Sequence, residues 1–411
     1  MNLPYLTKEL PGVGGTLRSR PEDFFVQEIA AYEPNGEGEH VMCEIQKVGL
    51  STFDALEQIG RTLKVNPREI GFAGMKDADA ITRQHFTVPR VSEESLMAIQ
   101  TPKLSVLSAA KHQNKLRLGH LKGNRFAIRI RDVEPTHVVK LRPILDRLER
   151  EGMPNYFGEQ RFGRRGDNDL LGAAILRGDH EAVIKLLLGT AVKNVEASNV
   201  FEARRFFDNG DLEAAMHKWP RSSGMERRVL ARFMKTGSAF KAQMLIEPKL
   251  RRLWMSALQS RVFNDVVAAR IGSLSKVMAG DLAFLHDRGA CFTVEDVEKE
   301  QPRADAFEIS ATGPMLGYRM SLPAGEPLAI EQAIYDRYHL TREDFKRPSH
   351  DKAKGDRRPL RVKPTDTAIS GGMDEHGAHI TVAFTLPAGS FATVLMGELM
   401  KNEAASNAPS H

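Results

Sequence analysis

Apolar and polar positions alternate from Val41 to Gln46, with Val41, Cys43 and Ile45 facing one way and Met42, Glu44 and Gln46 the other. A period of two predicts a half-buried strand. After Ser51 the period changes: Phe53, Leu56, Ile59 and Leu63 recur at helical spacing, and Ser51 with Asp54 resembles a capping box in which Asp replaces the usual Glu. Phe126, Ile128 and Ile130 predict a further strand, whose opposite face carries Arg125, Ala127, Arg129 and Arg131. That strand would bury one face and offer guanidinium groups on the other. Leu141, Ile144, Leu145 and Leu148 mark one apolar helix stripe, and Gly152 stands where the helix would stop.

Pro154 opens a Gly- and Arg-rich loop, NYFGEQRFGRRGDN, and beyond Asp167 the texture changes. Helical patterns run over residues 170–188, 211–219, 227–240 and 250–271, with strand-like pieces at 283–285 and 306–309. Residues 381–384 and then 390–401 predict a strand followed by a helix that carries Phe391, Leu395 and Leu399 on one stripe. The stretch 380–397 holds no charge and is about long enough to span a bilayer. Its alternating first half, with Pro387, Gly389 and Ser390 after it, reads instead as strand, turn and helix. The polar tail, 402–411, is expected to be disordered. Strands at both ends of a helix-richer middle predict an α+β body carrying an insertion.

Composition adds bounds. The 411 residues, 41% hydrophobic and 27% charged, form an ordinary globular mixture, long enough for two or three domains with cores that need no disulfides. Cys43 and Cys291 lie far apart and form no CxxC pair, so zinc ribbons and thioredoxin-like centres are excluded and reduced thiols expected. The N-terminus lacks the basic-then-apolar pattern of a signal peptide. The net charge of +5 is unevenly spread: residues 109–131 hold seven basic residues and no acid, and residues 346–364 hold eight basic residues and two acids. Such clusters fit a polyanionic partner, because neutralising phosphates releases counterions. A solvated surface accounts for either cluster equally well.

The most informative stretch is residues 71–89, GFAGMKDADAITRQHFTVP. Gly71 and Gly74 permit sharp backbone geometry, Lys76 and Asp77 present adjacent opposite charges, and a strand begins by His85. A carboxylate on a glycine-flanked loop can be catalytic, although most Lys-Asp pairs are surface residues.

This stretch resembles the signature of the TruD family of tRNA pseudouridine synthases, FAG-x-KD-x-x-A-x-T-x-Q, at Phe72, Ala73, Gly74, Lys76, Asp77, Ala80, Thr82 and Gln84. Further segments resemble the same family in the same order: RPEDFFVQE at 20–28, KLRLGHLKGNRFAIRIR at 115–131, PNYFGEQRFG at 154–163, LQSRVFN at 258–264 and TLPAGSFATVLMGELMK at 385–401. The sequence departs from the pattern at Arg18, where the family often has lysine, and at Gly397, where a basic residue is common. Residues 170–346 are only patchily similar.

The resemblance implies a pseudouridine-synthase catalytic domain with a mixed or antiparallel sheet, built from residues 1–158 and 351–401. A helix-rich inserted domain, 159–350, would interrupt it, with a cleft between the two. It implies isomerisation of uridine to pseudouridine at uridine 13 of tRNA, with Asp77 as the catalytic carboxylate and with no cofactor and no metal. Asn124, Phe126 and Phe391 would surround the base, with Lys76 and Arg18 as further substrate-site residues. The expected partner is tRNA, with no membrane and no obligate protein partner, in a cytoplasmic setting.

The chemistry agrees. Aspartate is ordinarily ionised at neutral pH, and it can attack a carbon centre or take a ribose proton. Addition to uracil C6, attack at C1′ and a glycal route all start from such a group. A stacked uridine has to be extruded before it can react. Without the resemblance, Phe126 and Phe391 read as core residues, and His120 as a turn or phosphate-contacting histidine rather than a general base. Gln84 and Thr82 read as loop-stabilising groups. Arg125, Arg129 and Arg131 on the strand, and Arg161, Arg164 and Arg165 in the loop, are phosphate-contact candidates; the segment 352–361 is either part of that track or a solvated loop. Two competing functions are a non-catalytic RNA-binding or RNA-folding protein and a pseudouridine synthase acting on other RNA such as mRNA.

Overall fold

The computed structural model describes residues 3–193, 195–346 and 353–402. The fold is α+β, and the chain divides into two compact units. One comprises Tyr5–Met153 and Val362–His411, the other Met1–Pro4 and Pro154–Arg361.

The first unit is organised by an eight-stranded mixed sheet. Its strands are β1 (Phe24–Ala30), β2 (His40–Val48), β3 (Gly71–Phe72), β4 (Ile81–Pro89), β5 (Leu104–His112), β6 (Leu121–Arg131), β7 (Thr365–Asp374) and β8 (Gly377–Pro387). The order is β7-β8-β6-β1-β4-β2-β5, with β3 on β4. β1 and β4 run parallel, and the other pairs are antiparallel. Because side chains alternate across a strand, the register fixes which residues share the inner face. One row across the sheet holds Lys47, Thr82, Val26, Phe126 and Phe384; the next holds Ile45 beside Gln84, then Glu28, Asn124 and Leu386. Beyond these rows the face is apolar, with Cys43, Phe86, Val88, Ile128 and Val382 all buried. Polar groups are therefore concentrated in two adjacent rows of an otherwise hydrophobic surface.

Helix Thr52–Leu63 starts where the capping box predicts: Ser51 Oγ accepts from Asp54 N at 3.1 Å, and Ser51 N donates back to Asp54 Oδ2 at 3.2 Å. Helix Val138–Glu151 ends at Gly152, whose φ is 85°. The stretch 380–397 divides between β8 and helix Ala392–Met400, and among the described residues no helix is long and apolar enough to cross a membrane. Glu398 on that last helix is buried and ties the N-terminal segment down, accepting from Leu6 N at 2.7 Å and Thr7 Oγ1 at 2.6 Å. Asn402 donates to Gly15 O at 2.6 Å; the remainder of the tail expected to be disordered, 403–411, lies outside the described residues.

The second unit pairs a helical part with a four-stranded sheet, Asp356–Pro359, Ile309–Met315, Leu282–Leu285 and Cys291–Thr293. Two long helical patterns are each broken by a glycine in the left-handed region. Gly178 (φ 70°) separates Asn168–Arg177 from His180–Leu188, and Gly237 (φ 59°) separates Gly224–Thr236 from Ala239–Gln243. The strand expected at 306–309 begins instead at Ile309, after helix Val297–Asp305. Both cysteines are free, Cys43 buried and Cys291 exposed.

Helix Pro248–Ala269 packs against Asn168–Arg177 at Gly172, where an added Cβ would sit 2.2 Å from the carbonyl oxygen of Trp254. Gly172→Ala gains up to about 1 kcal/mol of helix propensity, but a fixed backbone carbonyl cannot yield as a flexible side chain can. The expected net effect is a loss of about 1–3 kcal/mol in urea unfolding. An unchanged midpoint would show that the two helices can move apart at no cost.

Candidate functional site

Asp77 lies in the loop between β3 and β4. The loop leaves β3 at Gly71, where any Cβ would fall 2.4 Å from Thr87 Oγ1 and 2.6 Å from Leu116 O. Neither Gly71 nor Gly74 takes a positive φ, so the glycine at 71 is required for close approach rather than for a sharp turn. The loop is pinned from below: Lys76 N donates to Thr52 Oγ1 at 3.0 Å, and Gln84 Nε2 reaches Gly74 O at 3.4 Å. Gln84 also accepts from Thr52 Oγ1 at 3.2 Å, so it stabilises the loop from the buried face. The Thr82 hydroxyl is buried and makes no hydrogen bond among the described residues, so it does not hold the loop as Gln84 does.

The Asp77 carboxylate is partly open, with 37% of its side chain exposed. Arg18 Nη2 donates to Asp77 Oδ2 at 2.7 Å. The Arg18 guanidinium lies over the Phe24 ring, 4.5 Å from its centroid, where the ring face attracts a cation. Phe24 is on the buried face of β1, so the sheet itself fixes the position of this cation.

Lys76 points the other way, inward. Its Nζ donates to Asn124 Oδ1 at 2.7 Å and lies 3.1 Å from Glu28 Oε2, an ion pair without hydrogen-bond alignment. Glu28 and Asn124 are cross-strand partners on β1 and β6, which explains why one ammonium meets both. Glu28 Oε1 also accepts from His85 N at 3.1 Å, with His85 Nδ1 at 3.4 Å. Burial pushes the Glu28 carboxyl up, but the His85 hydrogen bonds and the Lys76 charge outweigh it and hold the group below its ordinary value. Lysine can only donate, so the Asn124 oxygen must face Lys76 and its NH2 group must point away.

Phe126, two residues along the same face from Asn124, is 7% exposed and stacks on Phe384 at 5.1 Å, with Phe24 edge-on at 6.5 Å. Phe391 is the N-cap of helix Ala392–Met400, four residues beyond Pro387, which pairs with Gly123 at the start of β6. His120 accepts from or donates to the Tyr32 hydroxyl through Nδ1 at 2.8 Å, in a turn.

The arginine expectations divide. Arg125 is exposed and has no partner among the described residues. Arg129 is half-buried and 3.3 Å from Asp374. Arg131 needs correction: it is buried, bonded to Asp23 at 2.6 Å and to Asp374 at 2.7 Å, and these carboxylates hold it firmly charged as an internal clamp rather than a phosphate contact. The strand face is therefore guanidinium-rich but not uniformly open. In the other unit, Arg164 is exposed and Arg161 is half-buried over the Phe157 ring at 5.2 Å. Burial pushes the Arg161 guanidinium down. Arg165 is corrected in the same way as Arg131. It pairs with Asp167 at 2.6 Å and donates to Leu186 O and Gly189 O, satisfying carbonyls that the end of helix His180–Leu188 leaves without partners. Among the described residues of the basic run at 346–364, Arg357 pairs with buried Glu331 at 2.6 Å and Arg361 lies 4.1 Å from the Phe307 ring centroid, whereas Lys346, Lys354 and Lys363 are exposed. Lys352 lies outside the described residues.

Two members of the site escaped the sequence reading. Glu28 and Lys47 each continue an apolar alternation, Phe24-Val26-Glu28 and Val41-Cys43-Ile45-Lys47. A charged residue in phase with a buried face was the available signal. Lys47 is buried and donates to the main-chain carbonyls of Asp77 at 2.9 Å and Leu50 at 2.5 Å.

The family model described as tRNA pseudouridine synthase D (TruD) matches residues 1–399. The tRNA pseudouridine synthase D of Geotalea daltonii is 44% identical over 400 residues, covering 97% of this chain and all of the relative. That of Thermus thermophilus is 37% identical over 404 residues, covering 98% and 93%. Among solved structures, a Methanosarcina mazei protein assigned to tRNA pseudouridine synthase D is similar with a TM-score of 0.84 at 27% identity, covering 98% of this chain and 96% of that one. A match along almost the whole sequence, shared by full-length relatives, places the chain in the TruD family of tRNA pseudouridine synthases.

Proposed function

We propose that this protein isomerises uridine 13 of tRNA to pseudouridine in the cytoplasm, with Asp77 as the reacting carboxylate. The observation that carries the reading is the half-exposed Asp77 carboxylate fixed at 2.7 Å by Arg18, on a loop whose next anchor, Lys76, holds Asn124.

The reaction breaks the N1–C1′ bond and forms a C5–C1′ bond; C5 loses a proton and N1 gains one. Atoms and electrons balance without a donor, an oxidant or a metal. The work left to the protein is to expose the nucleotide, hold the base while it turns, and supply a carboxylate. Arg18 aims the carboxylate, its Nη2 donating to Asp77 Oδ2 at 2.7 Å. Asp77 then starts the sequence by addition at C6, attack at C1′ or removal of a ribose proton. Asn124, its oxygen engaged by Lys76, presents NH2 to a uracil carbonyl. Phe126, two positions along β6, supplies an apolar surface beside that amide, and Phe391 a second aromatic group from the N-cap of the last helix. Arg125, Arg161 and Arg164 contact backbone phosphates.

The reading is tested by mapping pseudouridine in unmodified tRNA incubated with purified protein in EDTA. Pseudouridine at uridine 13 is expected, without added metal or nucleotide. Modification at another position would overturn the target. Binding without modification would favour the RNA-folding alternative, and activity restored only by metal would overturn the cofactor-free chemistry.

A further inference from the structure

Lys47 sits at the end of an otherwise apolar file on β2, and no part of it is exposed. A buried ammonium is unfavourable unless its charge and donors are matched. Its hydrogen-bond partners are two main-chain carbonyls, Asp77 O at 2.9 Å and Leu50 O at 2.5 Å, rather than a carboxylate. The second carbonyl lies just before the cap of helix Thr52–Leu63, and the first belongs to the residue that carries the reactive carboxylate. From Gly74 to Asp77, side chains of the sheet and of helix Thr52–Leu63 hold the main chain of the loop: Gln84 on Gly74 O, Thr52 on Lys76 N and Lys47 on Asp77 O. Lys47 alone among these grips residue 77 itself.

We propose that Lys47 is a positioning residue for the isomerisation: its ammonium fixes the main chain of Asp77 from inside the sheet while Arg18 fixes the carboxylate from the open side. This rests on the reading of Asp77 as the reacting group. With both ends of one short side chain held, the carboxylate has little freedom left. Displacement of a reacting group by about 1 Å is enough to lose about a hundredfold in rate.

The surroundings make this grip sensitive to pH. Charged groups facing Lys47 are Asp77 and Lys76 on the loop and Asp54 on helix Thr52–Leu63; its strand neighbours Thr82 on β4 and Leu104 on β5 bring none. Burial dominates and pushes the ammonium down to about 8, opposed by Asp77, reinforced by Lys76 and opposed again by Asp54. Above that pH the charge behind Asp77 is lost, although a neutral amine still donates.

The test is single-turnover pseudouridine formation by the full-length protein across pH 7 to about 9.5, with Lys47→Met, Lys47→Gln and Asp77→Asn in parallel. Lys47→Met keeps the length and removes the donor. It is expected to lower the rate about a hundredfold with unchanged tRNA affinity, and to lose the alkaline fall that wild type shows near pH 8. Lys47→Gln, a neutral donor, is expected to lie between the two and also to lack the fall. If neither variant folds, the wild-type profile decides, and a flat profile overturns the proposal. An unchanged rate in a folded Lys47→Met, or the same alkaline fall in that variant, also overturns it. Weakened tRNA affinity in step with a lowered melting temperature would do so too, marking Lys47 as merely structural. Should Asp77→Asn stay active, the underlying reading falls; should it be dead while Lys47→Met behaves as wild type, only this inference does.

Discussion

Asp77→Asn is expected to lower the single-turnover rate of pseudouridine formation by on the order of 10⁴-fold or more while tRNA binding stays the same. The substitution is nearly isosteric. The amide oxygen still accepts from Arg18 Nη2, which now sits 2.7 Å from Asp77 Oδ2. The main-chain carbonyl still meets Lys47. What disappears is the negative charge and the lone pair that the proposed function assigns to the attack on carbon or the removal of a proton. Glu28, on the buried side of the loop, has a side chain with no exposed surface and is committed to Lys76 and His85, and the exposed Asp79 two residues along is not the carboxylate that Arg18 holds. Release of the C5 hydrogen from labelled tRNA measures the rate. A gel-shift titration at several salt concentrations measures binding, and both affinity and salt dependence are expected to match wild type, since the arginines proposed to contact phosphates are untouched. A variant retaining more than about a hundredth of the wild-type rate would show that Asp77 assists rather than reacts.

Local signals were legible in the sequence where one residue type has one physical solution. Ser51 with Asp54 closed the capping box, Gly152 stopped its helix, and the Pro387–Ser390 turn separated a strand from a helix. Periodicity overran at Gly178 and Gly237, because an apolar stripe continues in phase across a glycine that ends one helix and lets the next begin. Two of the six arginine expectations, Arg131 and Arg165, were overturned for a different reason. On β6, alternation places Arg125, Arg129 and Arg131 on one face, but it is silent about what covers that face. Only folding brings Asp23 and Asp374, distant in sequence, onto Arg131. Arg165 has the same history with the carbonyls of helix His180–Leu188. The candidate site was legible as a motif and not as a mechanism. Lys76 and Asp77 are adjacent opposite charges in the sequence, yet Lys76 turns inward to Glu28 and Asn124, and Arg18, far upstream, faces the carboxylate. Adjacent residues on a loop point in different directions, so sequence neighbours were the poorer guide to charge pairing.

That inward turn makes Lys76 the residue whose removal should most disturb the fold around the site. Lys76→Met is expected to destabilise the protein by about 3–5 kcal/mol at pH 7, because it strands a buried carboxylate. The Lys76 and Glu28 side chains are 6% and 0% exposed, so water cannot take the place of the ammonium. The pH dependence carries the proof. In wild type the Glu28 carboxyl titrates below its ordinary value. Its contribution to stability is thus fully present above the unfolded-state value of about 4.3, and is lost as pH falls through the lower folded value. In the variant, burial still raises the group while Lys76 no longer lowers it, so its folded value moves upward. A raised carboxyl works in the opposite sense: its penalty is absent below about pH 4.3 and grows as pH rises through the folded value. The two curves should therefore converge in acid and diverge toward neutrality. Urea unfolding at pH 7 and at about pH 4 measures both. A deficit of equal size at the two pH values would place the loss in packing or in the Asn124 hydrogen bond rather than in the charge of Glu28, and a deficit below about 1 kcal/mol at pH 7 would mean that His85 alone suffices to hold that carboxylate. Activity should fall in the same variant even where it remains folded, since Asn124 loses the donor that orients its amide for the base contact proposed above.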